Sequence, residues 1–388
     1  MRKILIYCHE FFPINSGYSN AFFNLAKALV NQNSNVEVII ATPTSNAGQE
    51  IEYERIQVVR LDSPVKIPKV RYFLNPIFYA KQIEKVVNEK CIDDIIIETF
   101  DDFIFLGFLN KHIFKKAIVR IHSTSDTEYA MFFPGLIYKL RKLFIQNYIS
   151  KKVEWIASTN QYHIDFAKQY YLKDNLYEIS KKGFFVIPNT ITGSKLPERT
   201  NNSKIKMTIL GRMNYEGFLQ KGFFDFAAAL KLLDNSVLQK FDIQIIGDGP
   251  LKNKVKFLLE GVDNVTFVDK LTHEEVLELL VQTDVAVLPS RYEGLSMFAL
   301  EALYSSCLCL FSNTGGLKDL ACEEKNGFFF ETQNIEMLAS KIKVISELDS
   351  SKLEQMKKNS KEHFDNFFSE RIVSQKCIQV LDIVKASQ

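Results

Sequence analysis

The chain has 388 residues, of which 46% are hydrophobic and 24% charged, and its formal net charge at pH 7 is +2. This length exceeds one ordinary hydrophobic core, so we expect two domains. The near-neutral charge argues against nucleic acid as the main partner. No stretch approaches the roughly 20 uncharged apolar residues that a membrane-spanning helix needs.

The N-terminus has a short apolar run, Ile4–Cys8, which His9 and Glu10 follow at once. A secretory signal peptide has a longer apolar region than this. We therefore interpret the run as a first β-strand and expect a cytoplasmic protein.

The first half of the chain alternates short β-branched runs with helical stretches, which is typical of parallel α/β sheets. One such helix is expected over 20–31, because apolar residues recur there at helical spacing. The predicted strands are Lys3–Cys8, Val36–Thr42, Ile56–Leu61, Asp94–Glu98, Ala117–His122, Val153–Ser158 and Phe184–Pro188.

A polar stretch, 191–204, is interpreted as a linker, and a second series of strands follows it. We thus expect two doubly wound domains, 1–190 and 205–369. Open parallel sheets bind ligands beyond the carboxyl ends of their strands, so a site is expected in a cleft between the domains. The predicted strands of the second series are Lys206–Leu210, Phe241–Ile246, Val265–Val268, Asp284–Leu288 and Cys307–Phe311.

Residue types that bind anions follow the strands of the second series. The first strand leads into GRMNYEGFLQKG, which supplies Arg212 and Lys221, and the second leads into IIGDGPL, a glycine turn at Gly247 before a helix. Two cations supply charge, and helix N-termini offer free backbone N–H groups. This combination fits a diphosphate.

Two carboxylates stand in the stretch PSRYEGLSMFALEAL, at Glu293 and Glu301. Burying an unpaired carboxylate is costly, so Glu301 needs a partner within its apolar run. Two structural alternatives stay open: Ser290-x-x-Glu293 also fits a capping box, and Glu301 could pair with a neighbouring Lys or Arg.

The motifs GRM…KG, IIGDGPL and PSRYEGLSMFALEAL, followed by NTGGLKDL and NGFFF, closely resemble the retaining GT-B glycosyltransferases of family four. In the first half, FFPINSGYSNAFFNLAKAL is similar to the glycine loop and first helix of that family, and VIPNTI to its strand before the hinge. The resemblance covers nearly the whole chain. It implies two Rossmann-like domains facing across a cleft, an acceptor-side one first and a nucleotide-sugar-binding one second. It also implies a C-terminal helix, about 370–388, that crosses back to the first domain.

The E-x7-E motif of the family matches Glu293 and Glu301. By resemblance, Glu301 would accept hydrogen bonds from the ribose hydroxyls of a sugar nucleotide. Glu293 would be a catalytic residue against the donor sugar, beside the anomeric carbon. The backbone N–H groups of Leu295, Ser296 and Met297 would meet the diphosphate.

The resemblance assigns five further residues. Arg212, Lys221 and Gly247 would bind the donor diphosphate, and Gly17 would let the loop after the first strand approach the ligand. His122, at the end of the strand in VRIHS, would be the second catalytic residue, because it matches the family's histidine near the donor sugar, although a lone histidine also fits a structural role. The family usually has two glycines where this chain has one at Gly17, and the stretch between Arg212 and Lys221 is longer than usual.

The resemblance implies a retaining hexosyltransferase in bacterial surface polysaccharide synthesis. It would move a sugar from a nucleotide sugar, expected to be a UDP-sugar, to a hydroxyl of a glycan or lipid-linked acceptor. Two alternatives stay open. An epimerase or hydrolase of sugar nucleotides would need further acids and a histidine in the cleft, and no clear set is present. A catalytically inactive partner of a transferase tends to lose the Arg, the Lys or a Glu, and here all four are present.

No metal or other cofactor is expected. The sequence lacks an Asp-x-Asp pair, so Arg212 and Lys221 would hold the diphosphate without a divalent ion. The cysteines contain no C-x-x-C pair, which disfavours zinc and favours reduced thiols. They are Cys8, Cys91, Cys307, Cys309, Cys322 and Cys377.

Charge is uneven along the chain. Residues 1–190 carry 24 Lys/Arg against 19 Asp/Glu, or +5, and residues 191–388 carry 24 against 27, or −3. The stretch 132–152 combines large apolar residues with five basic residues and no acid. It predicts an amphipathic helix that contacts an anionic membrane at the inner face of the cell membrane. A core helix with a solvated basic face would have the same pattern.

Overall fold

We describe a computed structural model of the chain. It describes residues 1–14, 16–44, 53–67, 71–98, 107–122, 135–193, 196–200 and 203–388. The chain divides into two compact units, Met1–Thr192 with Glu370–Gln388, and Gly193–Ser369. Within the described ranges, no helix is both long and apolar enough to cross a bilayer. Residues 132–134 of the predicted membrane-contacting stretch lie outside the described residues.

The first unit is built on a seven-stranded parallel sheet with the order β3-β2-β1-β4-β5-β6-β7. The central strand β1 pairs with β2 and β4, and the side chains of its last five residues are buried. Continuous apolar strands of this kind need helices on both faces of the sheet. The strands are β1 Arg2–Cys8, β2 Val36–Pro43, β3 Ile56–Leu61, β4 Asp94–Glu98, β5 Ala117–Ile121, β6 Trp155–Ser158 and β7 Gly183–Val186.

The last helix of the chain belongs to the first unit. It packs against the helix Gly17–Gln32, where Asn33 Nδ2 donates to Ser374 Oγ at 2.9 Å, and Arg2 pairs with Asp382 at 2.6 Å. The helices of this unit are Gly17–Gln32, Arg71–Glu89, Lys111–Lys116, Leu136–Phe144, Ser150–Lys152, Gln161–Phe166, Leu176–Ser180 and Glu370–Ala386, with π-helical turns at Ile145–Ile149 and Ala167–Tyr171.

The second unit is built on a six-stranded parallel sheet with the order β10-β9-β8-β11-β12-β13. The two parallel-sheet α/β units confirm the predicted fold class. The edge strand β13 is absent from the predicted strands. The strands are β8 Ile205–Leu210, β9 Phe241–Ile246, β10 Val265–Val268, β11 Val285–Leu288, β12 Leu308–Ser312 and β13 Gly327–Phe330.

Helices connect these strands, as parallel pairing requires. They are Tyr215–Gln220, Phe223–Lys231, Asn235–Leu238, Lys252–Leu258, His273–Val281, Met297–Tyr304, Ile335–Ser346 and Ser350–Phe367, with a 3₁₀ turn at Gly315–Asp319.

Some predicted strand ends differ from the structure by one or two residues. Strand β6 begins at Trp155 rather than Val153, because the N–H of Val153 bonds to Ile149 O and closes the preceding helix. Strand β5 ends at Ile121, so His122 lies just past it instead of forming its last residue.

Candidate functional site

Glycines lock the loops after β8 and β9 together. Gly247 has φ +144°, and a Cβ there would lie 2.0 Å from Gly211 O. The N–H of Met213 bonds to Asp248 O at 3.0 Å, and the N–H of Leu251 returns to Met213 O at 2.8 Å. No larger residue fits at Gly247, so its glycine is explained by the close approach of two backbones.

The loop after β12 fixes the backbone around Glu293. Gly315 has φ +50°, and a Cβ there would lie 1.9 Å from Glu293 O. The N–H of Gly316 bonds to Gly294 O at 3.0 Å, and Ser312 Oγ donates to Ser290 O at 2.6 Å. The segment NTGG therefore positions the segment SRYEG.

The side chain of Glu293 sits between a cation and a hydroxyl. Its Oε1 forms an ion pair with Lys221 Nζ and accepts a 3.1 Å hydrogen bond from Ser290 Oγ. The Lys221 stem passes over Gly211, where a Cβ would lie 2.6 Å from Lys221 Cγ. These two partners stabilise a carboxylate whose side chain is only 7% exposed.

The helix of the E-x7-E motif begins later than the capping-box alternative requires. Its first residue is Met297, and its N-cap is Ser296, whose hydroxyl accepts from the Ala299 N–H at 3.4 Å. The capping-box interpretation of Ser290 and Glu293 is therefore wrong, and Glu293 precedes the helix rather than occupying its first turn.

Free backbone donors precede and begin this helix. Among the described residues, the N–H groups of Leu295, Ser296 and Met297 have no acceptor within the chain. Unpaired N–H groups at a helix N-terminus suit an anion. The family resemblance assigns the same three donors to a diphosphate.

Glu301 lies in the middle of that helix, and the residue is 6% exposed. Its partner is neither Lys nor Arg, so that alternative is wrong: Oε1 lies 2.9 Å from His273 Nδ1. His273 is the first residue of the helix after β10.

Arg212 lies beside the same cluster. Its side chain is exposed, and its Nη2 lies 3.4 Å from Gln220 Oε1. Gln220 in turn accepts the Arg291 N–H at its backbone oxygen, at 2.8 Å. Arg212 forms no ion pair with any described residue, which leaves its guanidinium open to an anion.

The extra residues between Arg212 and Lys221 form the short helix Tyr215–Gln220. This helix packs back onto its own loop, because a Cβ at Gly217 would lie 2.4 Å from Arg212 O. The N–H of Lys221 caps it by bonding to Gly217 O at 2.8 Å. The longer stretch thus still brings Lys221 to the carboxyl end of β8.

His122, in the first unit, belongs to a buried charged cluster. Its Nε2 contacts Glu98 Oε2, and Arg120 Nη1 donates to Glu98 Oε1 at 3.0 Å. Arg120 also donates to Ile187 O and Asn189 Oδ1, both at 2.9 Å. The side chains of Glu98 and Arg120 are fully buried, and that of His122 is 4% exposed.

The contacts within this cluster shift the pKa values of Glu98 and His122. Burial opposes ionisation of Glu98, but Arg120 and His122 outweigh it and hold the pKa of Glu98 below its usual value. Burial lowers the pKa of His122, Arg120 lowers it further, and Glu98 opposes the shift only in part. His122 Nε2 also lies 2.9 Å from Arg120 Nη1, so this ring nitrogen contacts both the guanidinium and the carboxylate, and the lowered pKa of His122 favours its neutral form.

Gly17 begins the helix Gly17–Gln32, whose N-cap is Ser16. That helix reaches the cluster, since the Phe22 and His122 rings meet edge to face at 4.9 Å between centroids. Gly17 and His122 therefore share one unit, with one helix linking the loop to the cluster.

Sequence reasoning missed three residues of these clusters. Glu98 is the last residue of one predicted strand, and Arg120 lies near the end of another. Arg120 is two residues before His122, so both side chains are on the same face of the predicted strand. His273 follows Thr272 in THEE, a capping-box pattern just past a predicted strand. Glu98 and Arg120 could have been found as polar residues at carboxyl strand ends, whereas His273 lies beyond the end of β10 and its contact with Glu301 has no local signal.

Across the described residues, no group of three or more His, Cys, Asp or Glu is arranged to hold a metal ion. The six cysteines are free thiols. Burial raises the pKa of Cys307 and of Cys377 to about 12, so these two thiols stay protonated.

Residues 195–363 match the family described as glycosyl transferases group 1. A UDP-Gal:alpha-D-GlcNAc-diphosphoundecaprenol alpha-1,3-galactosyltransferase of Escherichia coli is 29% identical over 47% of this chain and 50% of its own length. The chain thus spans about half the length of that relative. An uncharacterised glycosyltransferase of Methanocaldococcus jannaschii is 24% identical over 87% of both chains.

Among solved structures, the sucrose-phosphate synthase of Thermosynechococcus elongatus superposes with a TM-score of 0.78 at 17% identity, covering 100% of both chains. This likeness concerns the fold. The family match confirms the predicted family for the second unit: residues 195–363 belong to the group 1 glycosyl transferases, and the chain has the predicted GT-B fold.

Proposed function

We propose that the chain is a retaining hexosyltransferase that takes its sugar from a UDP-sugar. The observation that carries the proposal is the grouping around Glu293. A cation, Lys221, is paired with this carboxylate, and the unpaired N–H groups of Leu295, Ser296 and Met297 follow it in the chain. A carboxylate suits sugar hydroxyls, whereas the cation and N–H groups suit a diphosphate.

In the proposed reaction, an acceptor hydroxyl oxygen attacks the anomeric carbon on the face that the diphosphate leaves. The bond from that carbon to the phosphate oxygen breaks, and the leaving diphosphate takes the hydroxyl proton. Arg212, Lys221 and the N–H groups of the Met297 helix stabilise the growing negative charge. Glu293 holds the donor sugar, and Glu301 accepts from the ribose hydroxyls.

Lys221 has a second role in this scheme. Without a donor it neutralises Glu293, so neither charge is left unpaired. The Lys221 ammonium group has three N–H donors, so it could bind a diphosphate and Glu293 at the same time. Glu293 would then also accept hydrogen bonds from the hydroxyl groups of the donor sugar. No metal is required for this charge balance. His122 and Gly17 belong to the first unit, which we propose receives the acceptor, and His122 would present a neutral imidazole to the sugar.

The proposed acceptor is a hydroxyl of a glycan carried on a lipid, in surface polysaccharide synthesis. The name of the E. coli relative gives it a diphosphoundecaprenol-linked substrate. In this chain, Leu140, Leu143, Phe144 and Tyr148 are 57, 50, 38 and 43% exposed, at helical spacing, while Ile145 is buried. We propose that this stripe and its neighbouring lysines contact an anionic membrane from the cytoplasmic side.

The test combines binding and turnover. Purified protein is screened by thermal shift with UDP-, GDP- and ADP-glucose and UDP-galactose, then incubated with each stabilising donor and lipid-linked acceptors. Proton NMR of the product reads the anomeric configuration. We expect stabilisation by UDP-sugars, an α-linked product and full activity in EDTA. An inverted product refutes retention, and activity that EDTA abolishes and manganese restores refutes metal independence.

The same assay separates the two alternatives. Donor consumption without any acceptor product, or a changed sugar configuration in the free donor, would favour a hydrolase or epimerase. Donor binding with no chemistry on any acceptor would favour an inactive partner protein.

A further inference from the structure

Glu301 has a single side-chain partner among the described residues, His273. Its Oε1 lies 2.9 Å from His273 Nδ1, and the side chains of the two residues are 8 and 11% exposed. The second oxygen, Oε2, has no hydrogen-bond partner among the described residues and is not one of their fully buried polar atoms. One oxygen is therefore held by the imidazole, and the other reaches the surface.

The other ring nitrogen decides which proton His273 carries. Nε2 is buried and has no hydrogen-bond partner in the described part of the chain. A proton on Nε2 would bury an N–H group without an acceptor, which costs about 1–3 kcal/mol. The contacts therefore assign the donated proton to Nδ1, which gives it to Glu301 Oε1.

A capping box at the start of its helix fixes the position of His273. Thr272 is the N-cap of the helix His273–Val281, and it forms a reciprocal capping box with Glu275. The Glu275 N–H bonds to Thr272 Oγ1 at 3.2 Å, and the Thr272 N–H bonds to Glu275 Oε2 at 2.7 Å. His273, the first residue after the cap, is thus placed by two hydrogen bonds that do not involve Glu301.

We propose that His273 is a positioning residue for nucleotide recognition: it holds Oε1 of Glu301 so that Oε2 faces the ribose hydroxyls of the donor. This inference rests on the proposed function, in which Glu301 binds the ribose. A carboxylate without such a donor could rotate about its last side-chain bond, and its alignment with a vicinal diol would be lost. His273 therefore acts on discrimination of the sugar of the nucleotide, not on the diphosphate.

The experiment compares the affinities of UDP and 2′-deoxy-UDP by calorimetry. Wild type, His273→Leu, His273→Asn and Glu301→Gln are measured, with Glu274→Gln, an exposed neighbour on the same helix, as the matched control. The Asn amide can donate from a place close to that of Nδ1, whereas Leu cannot donate. Thermal melting of each variant shows whether it is folded.

We expect wild type and Glu274→Gln to prefer UDP by roughly tenfold or more, the size of a hydrogen bond to a charged group. His273→Leu should lose most of that preference, as Glu301→Gln does, and His273→Asn should regain part of it. Retention of the full preference by folded His273→Leu overturns the inference, as does equal weakening of both nucleotides. Failure of wild type to bind any nucleotide instead refutes the proposed function.

Discussion

Lys221 and Glu293 form an ion pair, and the proposed site gives each partner a separate task toward the donor. If Lys221 contacts the phosphate as proposed, truncating it removes that contact and also leaves Glu293 without its cation. Arg212 forms no ion pair with the described residues, so its truncation would remove only the proposed phosphate contact. The two cations are thus expected to differ in how their loss affects the free protein.

We predict that Arg212→Ala and Lys221→Ala each lower kcat/KM for the donor by about 2–4 kcal/mol of transition-state stabilisation. Lys221→Ala should also lower the melting temperature, because the largely buried carboxylate of Glu293 loses its cationic partner. Steady-state kinetics and thermal melting measure both effects. Lys231→Ala, which changes an exposed lysine of the next helix, is the control. Wild-type turnover in both variants would show that the diphosphate is bound elsewhere.

The two glutamates should separate kinetically. In the proposed site Glu301 binds the ribose, far from the reacting carbon, so we expect Glu301→Gln mainly to raise the KM of the donor. Glu293 is proposed to bind the donor sugar beside that carbon, so we expect Glu293→Gln mainly to lower kcat. Full donor-saturation curves of both variants decide this, and the opposite pattern would exchange their roles.

Three of the site residues proposed from the sequence, Glu301, Arg212 and Lys221, are of types that are unusual for their surroundings. Glu301 stands in an apolar run, and Arg212 and Lys221 stand beside glycines at a strand end. His273 lacked such a contrast, because it stands among polar residues. Its role depends on contact with Glu301, 28 residues away, which no local pattern contains. The pairing of Lys221 with Glu293, 72 residues apart, was hidden for the same reason.

At the scale of elements, the loops after the strands of the second sheet support each other through glycines. Gly315 combines a left-handed φ of +50° with backbone contact to Glu293. Gly261 has a left-handed φ of +82°, but nothing lies within 4 Å of a Cβ built there. Alanine substitutions at these two glycines therefore distinguish the free-energy cost of a left-handed backbone from the cost of a steric clash with a neighbouring backbone.

We predict that Gly261→Ala destabilises the protein by about 1–2 kcal/mol, the cost of a left-handed conformation for a residue with a Cβ, and leaves activity unchanged. Gly315→Ala should destabilise more and lower kcat, because the added methyl displaces Glu293. Urea unfolding and donor turnover measure the two effects. Equal stability and activity in the two variants would mean that the contact at Gly315 is easily relieved.

Strand positions followed from β-branched composition, and most lie within a residue or two of their predicted ends. The strand β13 was missed because Gly327–Phe330 is short and begins with glycine, which favours turns. That glycine has a packing reason, since a Cβ there would lie 2.3 Å from Cys309 O on the neighbouring strand. Strand ends and edge strands depend on such neighbours, which the local sequence does not specify.

The membrane prediction also belongs to this scale. The exposed stripe of Leu140, Leu143, Phe144 and Tyr148 gives the predicted stretch an apolar face, and Lys139 beside it is exposed. We expect wild type to float with vesicles of 30–40% anionic lipid at low salt, since each nearby Lys contributes about 1 kcal/mol. Changing Lys139, Arg141 and Lys142 to Glu should abolish flotation, and Leu140 and Leu143 to Ser should weaken it.

Two controls accompany the flotation experiment. Neutral vesicles test the charge requirement, and exposed Lys254→Glu in the second unit tests whether any basic residue suffices. Wild type that stays in the soluble fraction with anionic vesicles would refute the membrane contact and favour a soluble acceptor.

At the scale of the whole molecule, the two units differ in what the sequence revealed. The motifs of the second unit are local runs at strand ends, and the family match falls there, over 195–363. In the first unit, the cluster around Arg120 joins the ends of β4 and β5 and the segment after β7. Such a cluster is assembled by the fold from distant positions, so its members have no shared motif.

The first unit contains a buried histidine, His163, with a strongly lowered pKa, and a single tryptophan whose fluorescence can follow the unfolding of this unit. Burial, and secondarily His122, lowers the pKa of His163 to about 3, and its Nε2 is buried without a partner among the described residues. The only tryptophan of the sequence is Trp155, in β6 of the same unit. Unfolding of this unit can therefore be followed by its fluorescence.

We predict that the first unit loses stability as the pH falls from 6.5 to 5. In this window the unfolded chain binds a proton at His163, with a pKa near 6.5, and the folded chain does not. The free energy of unfolding should fall by up to about 1.4 kcal/mol per pH unit from this residue, and the lowered pKa of His122 acts in the same direction. Carboxylates titrate mainly below the window, near pH 4.

Urea unfolding at several pH values, followed by Trp155 fluorescence, measures the slope. His163→Leu should flatten it and exposed His112→Ala should not; an unchanged slope in His163→Leu would show that His163 is protonated in the folded protein.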